Sequence, residues 1–307
     1  MKEYRFHQID VFTDRPFAGN PLAVFPDGEG LADAEMQALA REMNLSETTF
    51  VLPTRAAEAD FRVRIFTPRA EVPFAGHPVV GTHWVLAHLG RVRLTEPMAT
   101  VRFELGVGVL PADLYVRAGR VERVVMTQGR PRLLGAVDDW ESLACGLGLP
   151  SAAVRETGLP VEVVSTGLPQ IIVPVRSLAV VAALDPRGMD TAAIGQVCRD
   201  VGADTVLVFC REVVDPKAAV HVRVFAPLHG IPEDPATGSA TGGLGAYLVR
   251  HRLVPVRDGS ASFRSEQGLE MGRPSELHVQ VEVAGGEPAV VRVGGRAVAV
   301  LEGTVRF

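Results

Sequence analysis

Apolar and polar positions along the chain fall into short alternating runs separated by stretches of helical spacing. Tyr4 to Phe12 alternates apolar with polar residues, the period of a half-buried strand. Asp33 to Met43 carries apolar residues at helical spacing, with Asp33 placed to cap the helix. Thr49 to Leu52, Asp60 to Phe66, Val101 to Leu105 and Gly108 to Val116 read as further strands, and Thr82 to Leu89 as a buried helix stopped by Gly90. From near Gln128 the mixture resumes, with a helix from Asp190 to Val201 and strands at Ile171 to Val175, Thr205 to Phe209 and Val220 to Phe225. His278 to Phe307 is strand-rich with Gly-Gly turns.

The pattern repeats. Val63-Arg64-Ile65-Phe66-Thr67-Pro68 matches Val222-Arg223-Val224-Phe225-Ala226-Pro227 at an offset of 159, and Val72-Pro73 matches Ile231-Pro232 at the same offset. Gly76 then matches Gly238 at 162, which makes Glu233-Asp234-Pro235 the expected insertion. Each glycine is followed by an apolar helical stretch, His77 to Leu89 and Ser239 to Leu248. Two similar domains related by a pseudo-two-fold axis are expected. The first would span 1–127 and the second 128–294, with 295–307 a candidate to return to the first as a strand. A chain of 307 residues fits two domains at roughly 150 residues each.

In each half a strand feeds a small-residue loop into a helix. The first N–H groups of such a helix have no partner and attract an anion. Gly76 in one loop, and Thr237 and Gly238 in the other, are candidate substrate-binding positions, because glycine admits close backbone approach. A small carboxylic acid held between the two domains is the ligand this predicts. Neither loop ends in the GK[ST] of a phosphate-binding loop, and Gly106-Val107-Gly108 lacks the third glycine of a dinucleotide fingerprint.

Around the loops lie four candidate catalytic residues. Glu47 stands between a helix and an apolar strand, where desolvation would raise its pKa toward that of a useful acid/base; a capping or solvated glutamate is the plainer alternative. His77 is a donor, a proton shuttle or a packed histidine. Asp234 is functional or simply turn chemistry, and Ser239 could be no more than a helix cap. Asn20, in Pro16-Phe17-Ala18-Gly19-Asn20-Pro21, is a substrate-binding candidate or a turn asparagine.

Composition narrows the function. Basic residues number 31 against 36 acidic, a net charge of −5, which excludes a nucleic-acid binder held by a general basic field. The only lysines are Lys2 near the terminus and Lys217 in a turn-like segment, which disfavours Schiff-base chemistry. His77, His83 and His88 do not share a helical face at metal-ligand spacing, so no metal is expected. Cys145, Cys198 and Cys210 are too scattered for a disulfide framework. No apolar run reaches the roughly 18 residues of a membrane helix, and no apolar segment follows the charged N-terminus, so neither a membrane nor a secretion signal is expected. A reducing cytoplasm is the expected compartment.

Five motifs in order resemble those of the PhzF-like isomerase family of phenazine biosynthesis. They are Asp10-Val11-Phe12-Thr13 with Phe17-Ala18-Gly19-Asn20-Pro21; Asn44-Leu45-Ser46-Glu47-Thr48-Thr49-Phe50; Pro73-Phe74-Ala75-Gly76-His77-Pro78; Glu233-Asp234-Pro235-Ala236-Thr237-Gly238-Ser239-Ala240; and Gln267-Gly268 with Met271-Gly272-Arg273-Pro274-Ser275. The resemblance implies the α+β diaminopimelate epimerase-like fold, in which two similar domains each wrap a mixed sheet or barrel around a central helix. It implies a homodimer and an isomerase that moves a proton on a small unsaturated or cyclic acid without a cofactor. The family's glutamate falls on Glu47, and its histidine, aspartate and serine on His77, Asp234 and Ser239. Related racemases place a cysteine in each loop, where this chain has Ala75 and Thr237. An epimerase or racemase, and a non-catalytic acid-binding homologue, are the competing functions.

Overall fold

The computed structural model describes Met1 to Phe307. The chain forms two units, Met1–Met126 with Gly294–Phe307, and Thr127–Val293.

In the first unit β1 (Glu3–Val11) lies between β2 (Asn20–Phe25) and the C-terminal strand Ala297–Arg306, antiparallel to both. Helix α1 (Asp33–Met43) is the crossover from β2 to β3 (Glu47–Leu52), which runs parallel to β2. β4 (Phe61–Phe66) pairs antiparallel with β3 and with the short β5 (Glu71–Val72). After helix α2 (Gly76–His88) come β6 (Met98–Leu105), β7 (Gly108–Arg117) and β8 (Arg120–Thr127), an antiparallel meander whose β6 runs parallel to β4. α1 covers one face through Phe25, Met36, Leu39, Phe50 and Phe66. α2 is buried nearly all round, as its predominantly apolar sequence requires. It packs so closely that a Cβ on Gly81 would sit 2.6 Å from Leu22 and 2.8 Å from Ile9 and Val11.

The second unit holds β9 (Arg132–Ala136), α3 (Trp140–Gly146), α4 (Ser151–Arg155), β10 (Glu162–Ser165), β11 (Pro169–Pro174), α5 (Leu178–Ala182), α6 (Thr191–Val201), β12 (Thr205–Cys210), β13 (Val220–Ala226) and β14 (Ile231–Asp234). Central helix α7 (Gly238–Arg250) and strands β15 (Ser260–Gln267), β16 (Ser275–Ala284) and β17 (Glu287–Gly295) complete it. The pairing plan of the first unit recurs: β10 antiparallel to β11, β11 parallel to β12, β12 antiparallel to β13, β13 antiparallel to β14 and parallel to β15.

The likeness extends to individual hydrogen bonds. Arg64 grips Glu71 with two bonds of 2.7 and 2.6 Å, and Arg223 grips Glu233 with two of 2.7 Å. Glu104 accepts from the N–H groups of Arg55 and Ala56, and Glu266 from those of Val214 and Asp215. Gly106 backs onto Pro73, and Gly268 onto Pro235.

These pairings correct the sequence alignment of the two halves. Val72 lies opposite Ile65, and Asp234 opposite Val224. Val72 therefore corresponds to Asp234, and Glu71 to Glu233. The three extra residues lie earlier, in the turn around the 3₁₀ segment Pro227–His229, and Glu233-Asp234-Pro235 is not an insertion. One cap also differs from expectation. Ala32 precedes α1, whose Glu35 reaches back to the Ala32 N–H at 2.8 Å, so Asp33 is already helical. α2 starts at Gly76, where the repeat sets the apolar helical stretch His77 to Leu89, six residues before the narrower run Thr82 to Leu89.

The Arg–Glu pairs differ in burial. Arg223 and Glu233 side chains are 3% and 7% exposed, while Glu71 is 42% exposed. Removing Arg223 strands a buried carboxylate, so Arg223→Ala should cost roughly 3–5 kcal/mol in denaturant unfolding. Arg64→Ala should cost about 1 kcal/mol or less.

Candidate active site

In the first unit the site residues stand where strands and a helix begin. Asn44 ends α1 in a left-handed conformation (φ 50°), which asparagine tolerates, and β3 opens three residues later at Glu47. Asn20 opens the neighbouring parallel strand, whose Leu22 lies beside Glu47, and is fully buried. His77 is the second residue of α2. Its Nε2 lies 3.3 Å from Oε2 of Glu47, with the two side chains 6% and 13% exposed.

Two threonines fix this approach. Thr82 Oγ1 donates to the Pro78 carbonyl at 2.7 Å and lies 2.8 Å from Thr49 Oγ1. Thr82 has one proton and spends it on the carbonyl, so Thr49 donates to Thr82. Thr49 follows Glu47 by two positions on the same strand face. The hydroxyl pair thus ties the strand bearing Glu47 to the helix bearing His77.

Two effects oppose each other at His77. A carboxylate nearby favours the charged ring, but the contact with Glu47 is not aligned as a hydrogen bond. Burial dominates and pushes the His77 pKa down to about 3. The ring is therefore neutral at physiological pH.

In the second unit Asp234 closes β14 and is buried. Thr237 Oγ1 donates to Asp234 Oδ2. Gln267 straps the loop at two points: Nε2 donates to the Asp234 carbonyl at 2.7 Å, and Oε1 accepts the Thr237 N–H at 3.1 Å. Ser275 Oγ lies 2.9 Å from the Pro235 carbonyl. Gly268 (φ +78°) comes so close that a Cβ there would lie 2.5 Å from the Pro235 oxygen. Ser239 is the second residue of α7, and Thr237 holds the cap position, so Ser239 is not the cap the sequence offered. No side chain caps α2 or α7, which leaves both helix starts suited to an anion.

The two loops correspond residue by residue: Ala75 to Thr237, Gly76 to Gly238, His77 to Ser239. Thr48 lies opposite Phe66 and Val206 opposite Phe225, so the place of Glu47 is held by Thr205 in the second unit. Thr49, Thr82 and Gln267 were not singled out by sequence reasoning. Only their contacts identify them, although Thr49 and Gln267 stand in motifs.

No cysteine lies on either loop. Cys145 is exposed on α3, while Cys198 and Cys210 are buried on α6 and β12. Burial pushes the Cys198 thiol up to about 11 and the Cys210 thiol to about 12. His83 faces the Val79 and Val101 carbonyls and stacks on Phe103, and His88 stacks on Trp84. No helix is long and apolar enough to cross a membrane.

A family profile described as Phenazine biosynthesis-like protein matches residues 9–303. The chain is 37% identical over 304 residues to the trans-2,3-dihydro-3-hydroxyanthranilate isomerase of Pseudomonas aeruginosa, covering 98% of each chain. It is 33% identical over 304 residues to an uncharacterised isomerase of Clostridium acetobutylicum, again covering 98% of each. The crystal structure of a PhzF-family phenazine biosynthesis protein from Bacillus anthracis superposes with a TM-score of 0.89 at 30% identity, covering 100% of both chains.

The neutral His77 ring should be visible by NMR, its imidazole remaining uncharged at about pH 5, well below the ordinary histidine pKa of about 6.5. A folded pKa below the unfolded one means that acidification below about pH 6.5 favours the unfolded chain. Thr82→Val removes the bridging hydroxyl and leaves the Thr49 donor buried. It should lower stability by roughly 1–3 kcal/mol in urea unfolding.

Proposed function

The chain belongs to the phenazine biosynthesis-like family, and we propose on that premise that it moves a proton along a small unsaturated or cyclic carboxylic acid. It is an enzyme of the isomerase kind, as its relatives' names indicate. The observation that carries the finer reading is the buried approach of the Glu47 carboxylate to a neutral His77 at 3.3 Å.

A C–H beside an unsaturated system is acidified because the charge left behind spreads. Glu47 takes that proton and returns it at another carbon of the same substrate, shifting the double bond. A neutral imidazole can donate a hydrogen bond to charge developing on the substrate without losing its own proton. The α2 N-terminus, with Gly76 allowing close approach, holds the carboxylate. Asp234 and Ser239, on the second unit's loop, take the subsidiary part of orienting substrate or relaying a proton, with Thr237, Gly238 and Asn20 as binding residues. The chemistry asks for no cofactor, because a carboxylate and an imidazole suffice. The substrate class agrees with the name of the Pseudomonas relative, whose dihydrohydroxyanthranilate is an unsaturated cyclic acid. A two-thiol racemase is disfavoured by Ala75 and Thr237 at the two helix starts.

Incubation with candidate acids in deuterated water, read by mass spectrometry and chiral chromatography, tests the reading. A shifted double bond with retained configuration supports it, and clean inversion at a single centre would replace it with an epimerase. Glu47→Gln keeps shape but loses the proton acceptor, so turnover should fall by about a hundredfold or more with binding retained. His77→Ala and Asp234→Asn should cost less; a larger loss for Asp234→Asn would move the main base to the second loop. Replacing all three cysteines by alanine should leave the rate within roughly a few-fold, since none lies on either loop and Cys198 and Cys210 are held as neutral thiols by burial.

A further inference from the structure

The turn that supports the Asp234–Ser239 loop is itself tied down by one histidine. His221, on β13, is completely buried. Its Nδ1 lies 2.7 Å from Glu266 Oε1, and its Nε2 lies 2.9 Å from Glu270 Oε1. An ionised carboxylate only accepts hydrogen bonds, and a neutral imidazole has one N–H to give. Both contacts are satisfied together by the doubly protonated ring. Burial opposes that charge, but the hydrogen bonds to Glu270 and Glu266 outweigh it and hold the His221 pKa above its usual value. At Glu270 burial is again outweighed, by the hydrogen bond from His221, and the carboxyl is held below the usual range.

The neighbours leave His221 the titrating member. Arg223, two residues along β13, lies 4.0 Å from Glu270 and is engaged with Glu233 of β14. Glu266, on β15, also accepts the N–H groups of Val214 and Asp215. Cys210, the ladder partner of His221 on β12, is held neutral by burial, its pKa pushed up to about 12. α5, packed on the same strand, carries no charge.

The repeat supplies the comparison. His221 stands opposite Glu266 where Arg62 stands opposite Glu104. Arg62 is permanently charged; His221 is not. The β6–β7 turn is Gly106-Val107, whereas the β15–β16 turn runs from Gly268 to Pro274. The added residues bring Glu270, and their ends press on the Pro235 carbonyl through Gly268 and Ser275.

We propose that His221 is a positioning residue: as a cation bonded on both sides it pins the Gly268–Pro274 turn, and through it the Asp234–Ser239 loop, so that the loop's order depends on pH. Any effect on turnover rests on the role given above to Asp234 and Ser239; the positioning itself needs no substrate. A raised folded pKa makes this stabilisation fully present below the ordinary histidine pKa, and lost as pH rises through the folded value.

Hydrogen–deuterium exchange of the full chain, corrected for the intrinsic effect of pH, is read between about pH 6 and pH 9. Protection of residues 235–239 and 268–274 should fall by about tenfold to a hundredfold as His221 loses its proton, the scale of a lost charge-assisted bond. His221→Gln should show the low value throughout. His221→Arg, which restores the first unit's cation, should keep protection independent of pH. Should that variant fail to fold, Glu270→Gln decides: it should lose protection already at the acidic end and lower the His221 pKa seen by NMR. Wild-type protection that does not change with pH, His221→Gln or Glu270→Gln protection equal to wild type, or a His221 ring with a single N–H at neutral pH would each overturn the proposal. None of these readouts depends on Glu47, so failure of the proton-transfer reading stays distinguishable.

Discussion

A helix enclosed on every side can meet a ligand only at its ends. α2 is buried through most of its length, so each polar side chain along it must find a partner inside the unit. Thr82 and His83 find backbone carbonyls four residues back, and Thr82 also finds Thr49. Only the first turn remains for chemistry. The position of Glu47 follows from the same enclosure, because the strand it opens is bound to the helix through the threonine pair.

The second unit repeats the scaffold and changes what it carries. Arg–Glu pairs, glutamates that gather loop N–H groups and glycines pressed on a proline occur in both copies. Among the differences between the copies, four lie around the central helix start: Glu47 against Thr205, His77 against Ser239, Val72 against Asp234, Ala75 against Thr237. The scaffold positions answer to packing, and the divergent positions to whatever each loop must do.

The duplication was legible because strands repeat as apolar strings, which survive divergence. Its register was not fully legible. Val72-Pro73 and Ile231-Pro232 look alike as side chains, but the hydrogen-bond ladder sets Val72 against Asp234. The motifs placed Glu47 and His77 in the sequence, yet their contact spans thirty residues and depends on two strands and a helix coming together. The short helices α3, α4 and α5 escaped notice because five to seven residues carry too little periodicity to register. Glu35 as the side chain that reaches back over the start of α1 was hidden by the more familiar capping residue beside it.

The glycines of α7 have a consequence for folding order. Gly242 and Gly245 are needed where they stand, since a Cβ would meet Thr166 Oγ1 at 2.9 Å and Val279 at 2.8 Å. Each glycine inside a helix is worse than alanine by about 1 kcal/mol of intrinsic propensity. With Gly243 as well, this stretch is a poor helix former on its own, and it becomes helical only when the surrounding strands enclose it. The start of α7 therefore has no local precursor. Its orphan N–H groups take up their shared direction at the moment the sheet closes, and the loop before them is ordered no earlier than the whole unit.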